Sequence, residues 1–305
     1  MKWLNSNPQE PFYTHIYWHW PHKPYGDRKV ILPDEFFSKK IDYEPIPASS
    51  EYSSEAIYSM RKKYDADIYY TDIQIGMILN AIKENNFIDN TIIIFTSDHG
   101  EDMGERIVGT KPFFDHSYWL YESSIEVPLV FVFPNKELSE KRVYFPVSSV
   151  DIFPTILSLL NIPVLSATQG EMLFEGSLGN LKIRNDLISL RPYVFAFNFL
   201  YEKEHPALDG QGKGKDFSGV FSQQYSLQRT EKPRKLELYD IKSDHHSTKN
   251  ISSDNPELTE KLNNSLNEWL KINNFSHSQA QQNNESQKEL PERIENKLRT
   301  LGYLK

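Results

Sequence analysis

The sequence predicts an α/β protein that ends in a smaller α+β subdomain. A helical pattern covers residues 55–85, the apolar run "TIIIF" follows at residues 91–95, and a second strand and helix follow between residues 123 and 162. Alternation of helices with buried strands is typical of α/β folds. The 305 residues, of which 38% are hydrophobic, can bury a sizeable core in one large domain or two smaller ones.

The N-terminal segment predicts one buried strand followed by an irregular loop. Residues 11–20, "PFYTHIYWHW", are rich in aromatic and β-branched side chains, which favour strands. The turn "PHKPY" closes this stretch and places His22 at the strand end. Residues 30–54 contain three prolines and no sustained period, so we interpret them as a surface loop.

The next two elements form a helix and strand unit. Ile68, Ile75, Leu79 and Ile82 share one helical face, which predicts a long amphipathic helix. The run at residues 91–95 is apolar on both faces, as expected of a central strand that helices cover on each side.

A second strand and a capped helix continue the alternation. The stretch "SSIEVPLVFVFP", residues 123–134, predicts a buried strand. In "VSSVDIFPTILSLLNI", residues 147–162, Asp151 opens a helix and Pro154 lies in its first turn.

Beyond residue 164 the pattern predicts the smaller subdomain, over residues 165–272. It contains strands at "RPYVFAFNFL" and "KLELYDIKSD", a glycine-containing loop between them, and a helix over residues 256–272. Residues 273–290 are almost wholly polar and predict a linker, and residues 291–305 predict a short amphipathic tail.

Composition excludes several classes of function. The net charge is −8 with no basic block, so we expect no nucleic-acid partner. The chain has no cysteine, which excludes disulfides, thiolate metal sites and a cysteine nucleophile. No window has the length and apolarity of a membrane span, and the first residues lack the apolar core of a signal peptide.

An acidic residue and a histidine stand directly behind the most apolar run. Ligands of open α/β sheets collect at the carboxyl ends of strands, where Asp98 and His99 lie. Their carboxylate and imidazole suit a divalent cation, and Gly100 lets the backbone turn. The alternative is that Asp98 caps a helix and His99 is an ordinary polar loop residue.

Three more basic residues follow strand or loop junctions: His22, Lys111 and His116. Each could bond an anionic group or protonate a leaving oxygen. Taken singly, each could equally be a solvated or structurally bonded side chain.

These stretches together resemble the sulfatase family of the alkaline phosphatase superfamily. The resemblance is carried by "TIIIFTSDHGEDMGE", "LYESSIEVPLVFVFP", "VSSVDIFPTILSLLNIP", "ELYDIKSD" and "LRTLGYL", which occur in the family's order, and by the turn "PHKPY". The match spans nearly the whole chain, so it is far more specific than one Asp-His pair.

The resemblance implies an α/β/α sandwich, with residues 1–164 as the C-terminal part of the catalytic domain. It implies one divalent cation, usually calcium, beside a formylglycine. Asp98 and His99 match half of the metal shell, and His22 matches the histidine at the sulfate or leaving oxygen. His116, ahead of Lys111, matches the later basic residue on the sulfate side.

The chain departs from the family in lacking the formylglycine motif, Cys/Ser-x-Pro/Ala-x-Arg, and the first acidic metal pair. We therefore expect a partial sandwich that is a poor catalyst alone. The missing part is expected to be a separate chain, a sequence upstream of a misplaced start, or lost.

The resemblance predicts a sulfuric ester hydrolase acting on a sulfate ester of undetermined identity. Two alternatives stay open: a phosphonate or phosphate ester hydrolase of the same superfamily, and a non-catalytic anion-binding remnant. Family members are mostly exported, periplasmic or lysosomal, but no segment here carries an address.

Overall fold

A computed structural model describes residues 6, 11–26, 52–108, 111–116, 119–134, 138, 141–164, 168–199, 216–231 and 233–273. Most of the predicted loop at 30–54, part of the glycine-containing loop, nearly all of the predicted linker and the whole predicted tail lie outside these residues. The chain divides into two compact units. The first comprises Met1–Pro45, Tyr52–Asn85 and Asn267–Lys305, and the second comprises Ile46–Glu51 and Asn86–Leu266.

The described residues form five α-helices and ten strands. The helices are α1 Ser54–Glu84, α2 Glu122–Ile125, α3 Ile152–Leu159, α4 Leu187–Leu190 and α5 Pro256–Ile272. The strands are β1 Ile93–Thr96, β2 Ile107–Val108, β3 Lys111–Pro112, β4 Leu129–Val132, β5 Phe174–Glu175, β6 Lys182–Ile183, β7 Val194–Phe199, β8 Asp216–Phe221, β9 Tyr225–Glu231 and β10 Arg234–Asp240. The domain boundaries at residues 164 and 272 stay predictions.

Helix α1 of the first unit confirms the predicted long helix. The Ser53 hydroxyl accepts the Ala56 N–H at 3.2 Å, which caps the first turn. The predicted apolar face is only partly covered, because Ile68 and Leu79 are exposed while Ile57 is buried.

The predicted N-terminal strand is wrong. Residues 11–19 form neither helix nor strand, and residues 11–17 are exposed. A strand needs a hydrogen-bonded neighbour, and no described strand pairs with this segment. His22 lies in the turn that follows, where its Nδ1 is 2.8 Å from the Lys23 carbonyl oxygen and its ring stacks on His19 at 4.8 Å.

In the second unit, β1 and β4 confirm the two predicted strands but not their surroundings. They form a two-stranded antiparallel sheet in which Ile94 lies opposite Phe131. Phe95, Val130 and Val132 are exposed, so within the described residues helices do not cover both faces as the sequence predicted. An apolar strand favours burial on both faces, but among the described residues part of the β1 and β4 surface stays exposed.

Helix α3 confirms the capped helix predicted at Asp151. Ser148 and Asp151 form a capping box that joins a short 3-10 turn to the helix, and Pro154 is fully buried in the first turn. The Asp151 carboxylate is itself fully buried. It accepts the backbone N–H of Ser148 and of Glu171 and forms a bidentate pair with Arg191.

The remaining large sheet is an antiparallel meander in which β7, β8, β9 and β10 pair in sequence order. Val220, Leu227 and Leu238 are fully buried in it. Helix α5 confirms the predicted C-terminal helix and buries Leu262 and Leu266. None of the helices among the described residues combines the length and the apolar character needed to cross a membrane.

Candidate metal centre

A tight loop follows strand β1, and the start of α2 holds it in place. The Gly100 N–H donates to the Ser124 carbonyl oxygen at 2.8 Å. A Cβ at Gly100 would lie 2.1 Å from the Ser123 carbonyl oxygen, so no larger residue fits there without displacing backbone. Glycine thus lets the loop that carries Asp98 and His99 pack directly against the start of α2.

A hairpin formed by residues 102–108 and 111–115 follows this loop. The Asp102 N–H donates to the Asp115 carbonyl oxygen at 3.1 Å, and β2 pairs with β3 further along the hairpin. The base of the hairpin therefore sets His116 beside Glu101. Lys111 lies opposite Val108 near the far end, five residues before His116 along the chain.

Three side chains converge at the base: His99, Glu101 and His116. One potential ligand atom from each lies within 4.8 Å of the other two. The two imidazole rings stack with centroids 3.6 Å apart, and Glu101 Oε2 lies 3.0 Å from His116 Nδ1. The structure thus brings two sequence-predicted residues together and adds Glu101, which the sequence analysis missed.

Both histidines have one ring nitrogen engaged. His99 Nδ1 is 2.8 Å from the Gly100 carbonyl oxygen, and His116 Nδ1 faces the Glu101 carboxylate. Both partners are acceptors, so each Nδ1 carries the proton and donates it. In the neutral ring the lone pair of each histidine then lies on Nε2, the atom that could take a cation or a proton.

Asp98 borders the cluster on its solvent side. Its side chain is 52% exposed, and its Oδ1 lies 3.8 Å from His99 Nε2. The same oxygen accepts the His99 backbone N–H at 3.2 Å, which turns the carboxylate toward the His99 ring.

Asp102, next to the cluster, is a fully buried acid. It accepts the hydroxyls of Ser123 at 2.5 Å and Ser124 at 2.9 Å, and Arg106 Nε lies 3.6 Å away. Burial raises the pKa of Asp102 from 3.8 to about 6, outweighing the opposing effects of Arg106 and the two hydroxyls.

Asp102 is expected to make stability depend on pH. Because its carboxyl binds a proton more tightly in the folded chain than in the unfolded chain, its stabilising contribution is present below about pH 4 and is lost as pH rises through 6. The loss should reach about 3 kcal/mol, since each pKa unit corresponds to about 1.4 kcal/mol. The unfolding free energy of the parental chain and of Asp102→Asn, measured by urea unfolding from pH 4 to 7.5 in the presence of a chelator, tests this expectation. Parallel stability profiles for the two proteins would contradict this assignment.

Arg106 connects the hairpin to a turn far along the chain. Its guanidinium donates to the carbonyl oxygens of His246 at 2.6 Å and Ser247 at 2.9 Å and lies 3.1 Å from the centre of the Tyr121 ring. Ser247 in turn donates to the buried Glu122 carboxylate. Burial raises the pKa of the Tyr121 phenol. No sequence signal pointed to this clamp, because its partners are separated by more than a hundred residues.

His22 belongs to the first compact unit and the cluster belongs to the second. The catalytic assignment of His22 therefore stays a prediction, as do those of His116 and Lys111.

The donor set fits a divalent cation but does not by itself fit calcium. Among the described residues the buried Glu101 Oε1 has no hydrogen-bond partner, as expected of a carboxylate oxygen that a cation could satisfy. Calcium prefers six to eight oxygen ligands. Asp98 and Glu101 supply carboxylates, whereas His99 and His116 supply nitrogens.

Residues 1–162, just over half of the chain, match the family model described as sulfatase. The chain belongs to the sulfatase family. Residues 109–273 of this sulfatase chain also match a model described as the C-terminal part of N-sulphoglucosamine sulphohydrolase. Both matches confirm the family that the sequence motifs predicted.

Curated relatives of this sulfatase chain include arylsulfatase K of Gallus gallus, 29% identical over 193 residues, and arylsulfatase K of Bos taurus, 25% identical over 325 residues. The first match covers 54% of the chain and 35% of the relative, and the second covers 93% and 56%. The sulfatase chain thus spans between about a third and just over half of the length of these relatives.

Solved structures confirm the α/β fold of the alkaline phosphatase type. A protein in complex with its substrate D-glucosamine-2-N,6-O-disulfate is 25% identical, with a TM-score of 0.55 over 72% of this chain and 42% of that one. The phosphonate monoester hydrolase of Agrobacterium radiobacter is 22% identical, with a TM-score of 0.57 over 73% of this chain and 43% of that one.

Proposed function

We propose that this chain supplies the C-terminal part of the active site of a sulfuric ester hydrolase. The observation that carries the proposal is the convergence of His99 and His116 at the end of β1, beside Asp98, in a chain of the sulfatase family. Sulfate esters are anionic, and this site combines ligands for a cation with an imidazole that can donate a hydrogen bond.

Each residue has a distinct part in the proposed reaction. Asp98 and His99 would hold the divalent cation, which supplies positive charge to the ester oxygens when bound. Glu101 and the Gly100 carbonyl oxygen fix the ring planes of His116 and His99. In its protonated form His116 would donate from Nε2 to a sulfate oxygen, and His22 would stand at the leaving oxygen.

The attacking group has to come from outside the residues of this chain. Sulfatases use formylglycine made from cysteine or serine, whereas this chain has no cysteine and no serine in the required motif. A second polypeptide, or a segment preceding the given sequence, would carry it. The exposed Phe95, Val130 and Val132 of the β1 and β4 pair support this, because large apolar side chains on a sheet favour burial against a partner.

A sulfate ester is the substrate class that the comparisons favour. The neighbour at 25% identity was solved with a sulfated glucosamine as its substrate, and other relatives are named sulfatases. A phosphonate ester is the second candidate, supported by the fold similarity to a phosphonate monoester hydrolase. A Cys-x-Pro-x-Arg motif in the preceding sequence would favour sulfatase, a bare serine or threonine nucleophile would favour phosphatase, and neither would favour a non-catalytic remnant.

The chain alone is expected to hydrolyse an aryl sulfate no faster than buffer, because it lacks the nucleophile. The same chain joined to a sulfatase segment that carries the Cys-x-Pro-x-Arg motif is expected to turn the ester over. Colorimetric assays of both preparations, with an aryl phosphonate as the competing substrate, measure this. Turnover by residues 1–305 alone would contradict incompleteness, and a joined protein that prefers the phosphonate would contradict the sulfatase assignment.

A further inference from the structure

We propose that Arg106 is a positioning residue of the candidate site, which sets the placement of His116 against His99 by tying the hairpin to α2 and to the distant turn over residues 244–247. This inference rests on the proposed function for its effect on ester hydrolysis, whereas the placement of the two imidazoles is measured without it. Arg106 is not among the residues that the sulfatase resemblance implies.

The contacts of the Arg106 guanidinium are the first observation. Its Nη1 and Nη2 donate to the carbonyl oxygens of Ser247 and His246, and its carbon lies over the ring of Tyr121, the residue that precedes α2. The Ser247 hydroxyl donates to the Glu122 carboxylate in the first turn of α2. One side chain of the hairpin therefore holds the turn and, both directly and through the turn, the start of α2.

A return link closes these contacts into a network. The hydroxyls of Ser123 and Ser124 donate to Asp102, and Asp102 Oδ1 lies 3.6 Å from Arg106 Nε. Asp102 is fully buried, and the Arg106 side chain is only 11% exposed. Polar contacts that are shielded from water are strong, so these contacts fix the hairpin against α2. We call the contacts between the hairpin, α2 and the turn the Arg106 network.

The Arg106 network reaches both histidines through the backbone. On the α2 side, the Ser124 carbonyl oxygen accepts a backbone N–H of the loop that carries His99. On the hairpin side, the Arg106 carbonyl oxygen accepts the Phe113 N–H at 2.8 Å, three residues before His116. The orientation of the hairpin against α2 therefore decides how the two imidazole rings meet.

The imidazole rings of His99 and His116 stack with centroids 3.6 Å apart. Without the Arg106 guanidinium, the part of the Arg106 network that still joins the hairpin to α2 is the pair of hydroxyl contacts to Asp102, at the hairpin base. A hairpin held only at its base can pivot. We therefore expect the loss of Arg106 to separate the two rings.

Histidine NMR spectra of the metal-free full chain test this placement. In Arg106→Ala the ring protons of His99 and His116 are expected to shift to higher frequency, because stacked aromatic rings shield each other and separated rings do not. Ethylguanidinium replaces the atoms that this variant lacks, so below denaturing concentration it should move both signals back toward their parental positions. Ethylammonium carries the same charge without the planar fork and should not. The matched control is Arg184→Ala, which removes an arginine paired with Asp186 and should leave both signals in place.

A second variant covers the case in which Arg106→Ala does not fold. Ser247→Ala removes the hydroxyl that binds the start of α2 and keeps the carbonyl oxygen that binds Arg106. It is expected to shift the His99 and His116 signals in the same direction by a smaller amount. Unshifted signals in the folded variants, equal shifts in Arg184→Ala, or equal effects of ethylguanidinium and ethylammonium would each overturn the proposal.

Kinetics of the chain joined to a nucleophile-bearing segment separate positioning from binding. Arg106→Ala is expected to lower kcat for an aryl sulfate by about tenfold or more with KM nearly unchanged, since a displaced His116 donates in the wrong direction. Arg106→Lys keeps the charge without the fork and should recover only part of the loss. A parental kcat in Arg106→Ala would overturn the proposal. Absence of turnover by the parental joined protein would contradict the proposed function alone, since the NMR shifts do not depend on hydrolysis.

Discussion

Replacing Asp98 with alanine is expected to reduce hydrolysis of an aryl sulfate by about a thousandfold or more once the chain is joined to a segment carrying the nucleophile. Asp98 would contribute negative charge to the cation shell, and a bound cation supplies several kcal/mol of transition-state stabilisation. The side chain is half exposed and its Oδ1 accepts the His99 N–H of the same loop, so the folded state should be little affected.

Comparison with an exposed aspartate separates this effect from a general loss of charge. Asp89 lies in the short 3-10 turn before β1, in the same compact unit, and is exposed. Asp89→Ala should keep the parental kcat and KM, whereas Asp98→Ala should lose kcat with an unchanged thermal transition. Parental turnover by Asp98→Ala would remove Asp98 from the site.

Replacing Asp151 with alanine is expected to cost about 3–5 kcal/mol of unfolding free energy, because it leaves the guanidinium of Arg191 without its partner in a half-buried position. It also removes the acceptor for two backbone N–H groups, those of Ser148 and Glu171. The hydrogen bond to Asp151 raises the pKa of Arg191, which keeps the guanidinium charged throughout the accessible range. Urea unfolding at neutral pH measures the loss.

The control is the pair of Arg184 and Asp186, whose Nη2 and Oδ2 atoms lie 2.7 Å apart and whose aspartate side chain is 53% exposed, whereas that of Asp151 is fully buried. Solvent screens this pair, so Asp186→Ala should lose far less stability than Asp151→Ala. Asp151→Asn covers the case in which the alanine variant does not fold, since the amide keeps an acceptor but not the charge. Equal losses for Asp151→Ala and Asp186→Ala would show that burial of the pair contributes nothing.

Local signals in the sequence were sufficient to predict individual elements. Helices α1, α3 and α5 were predicted because apolar spacing and caps act within a few residues, as at Asp151. The surroundings of β1 were not predicted correctly, since an apolar run does not specify what covers it. The strand predicted at residues 11–20 was wrong for a similar reason, because the strand preference of side chains does not provide a neighbouring strand to pair with.

The sequence also predicted only part of the candidate site. Asp98 and His99 stood out because they follow an apolar run, and His116 because of the family resemblance. Glu101 did not stand out, since an acid in a polar loop looks solvated until the hairpin is folded. Only the closed hairpin shows that this side chain is buried against His116.

The contact of Arg106 with the carbonyl oxygens of His246 and Ser247 joins residues 140 and 141 positions apart. During synthesis the N-terminal residues leave the ribosome first, and contacts of such long sequence separation form late. The loop holding the cation ligands should therefore reach its final shape only after the distant turn has been translated. Folding of the candidate metal centre is thus expected to depend on a turn that does not itself contact the cation ligands.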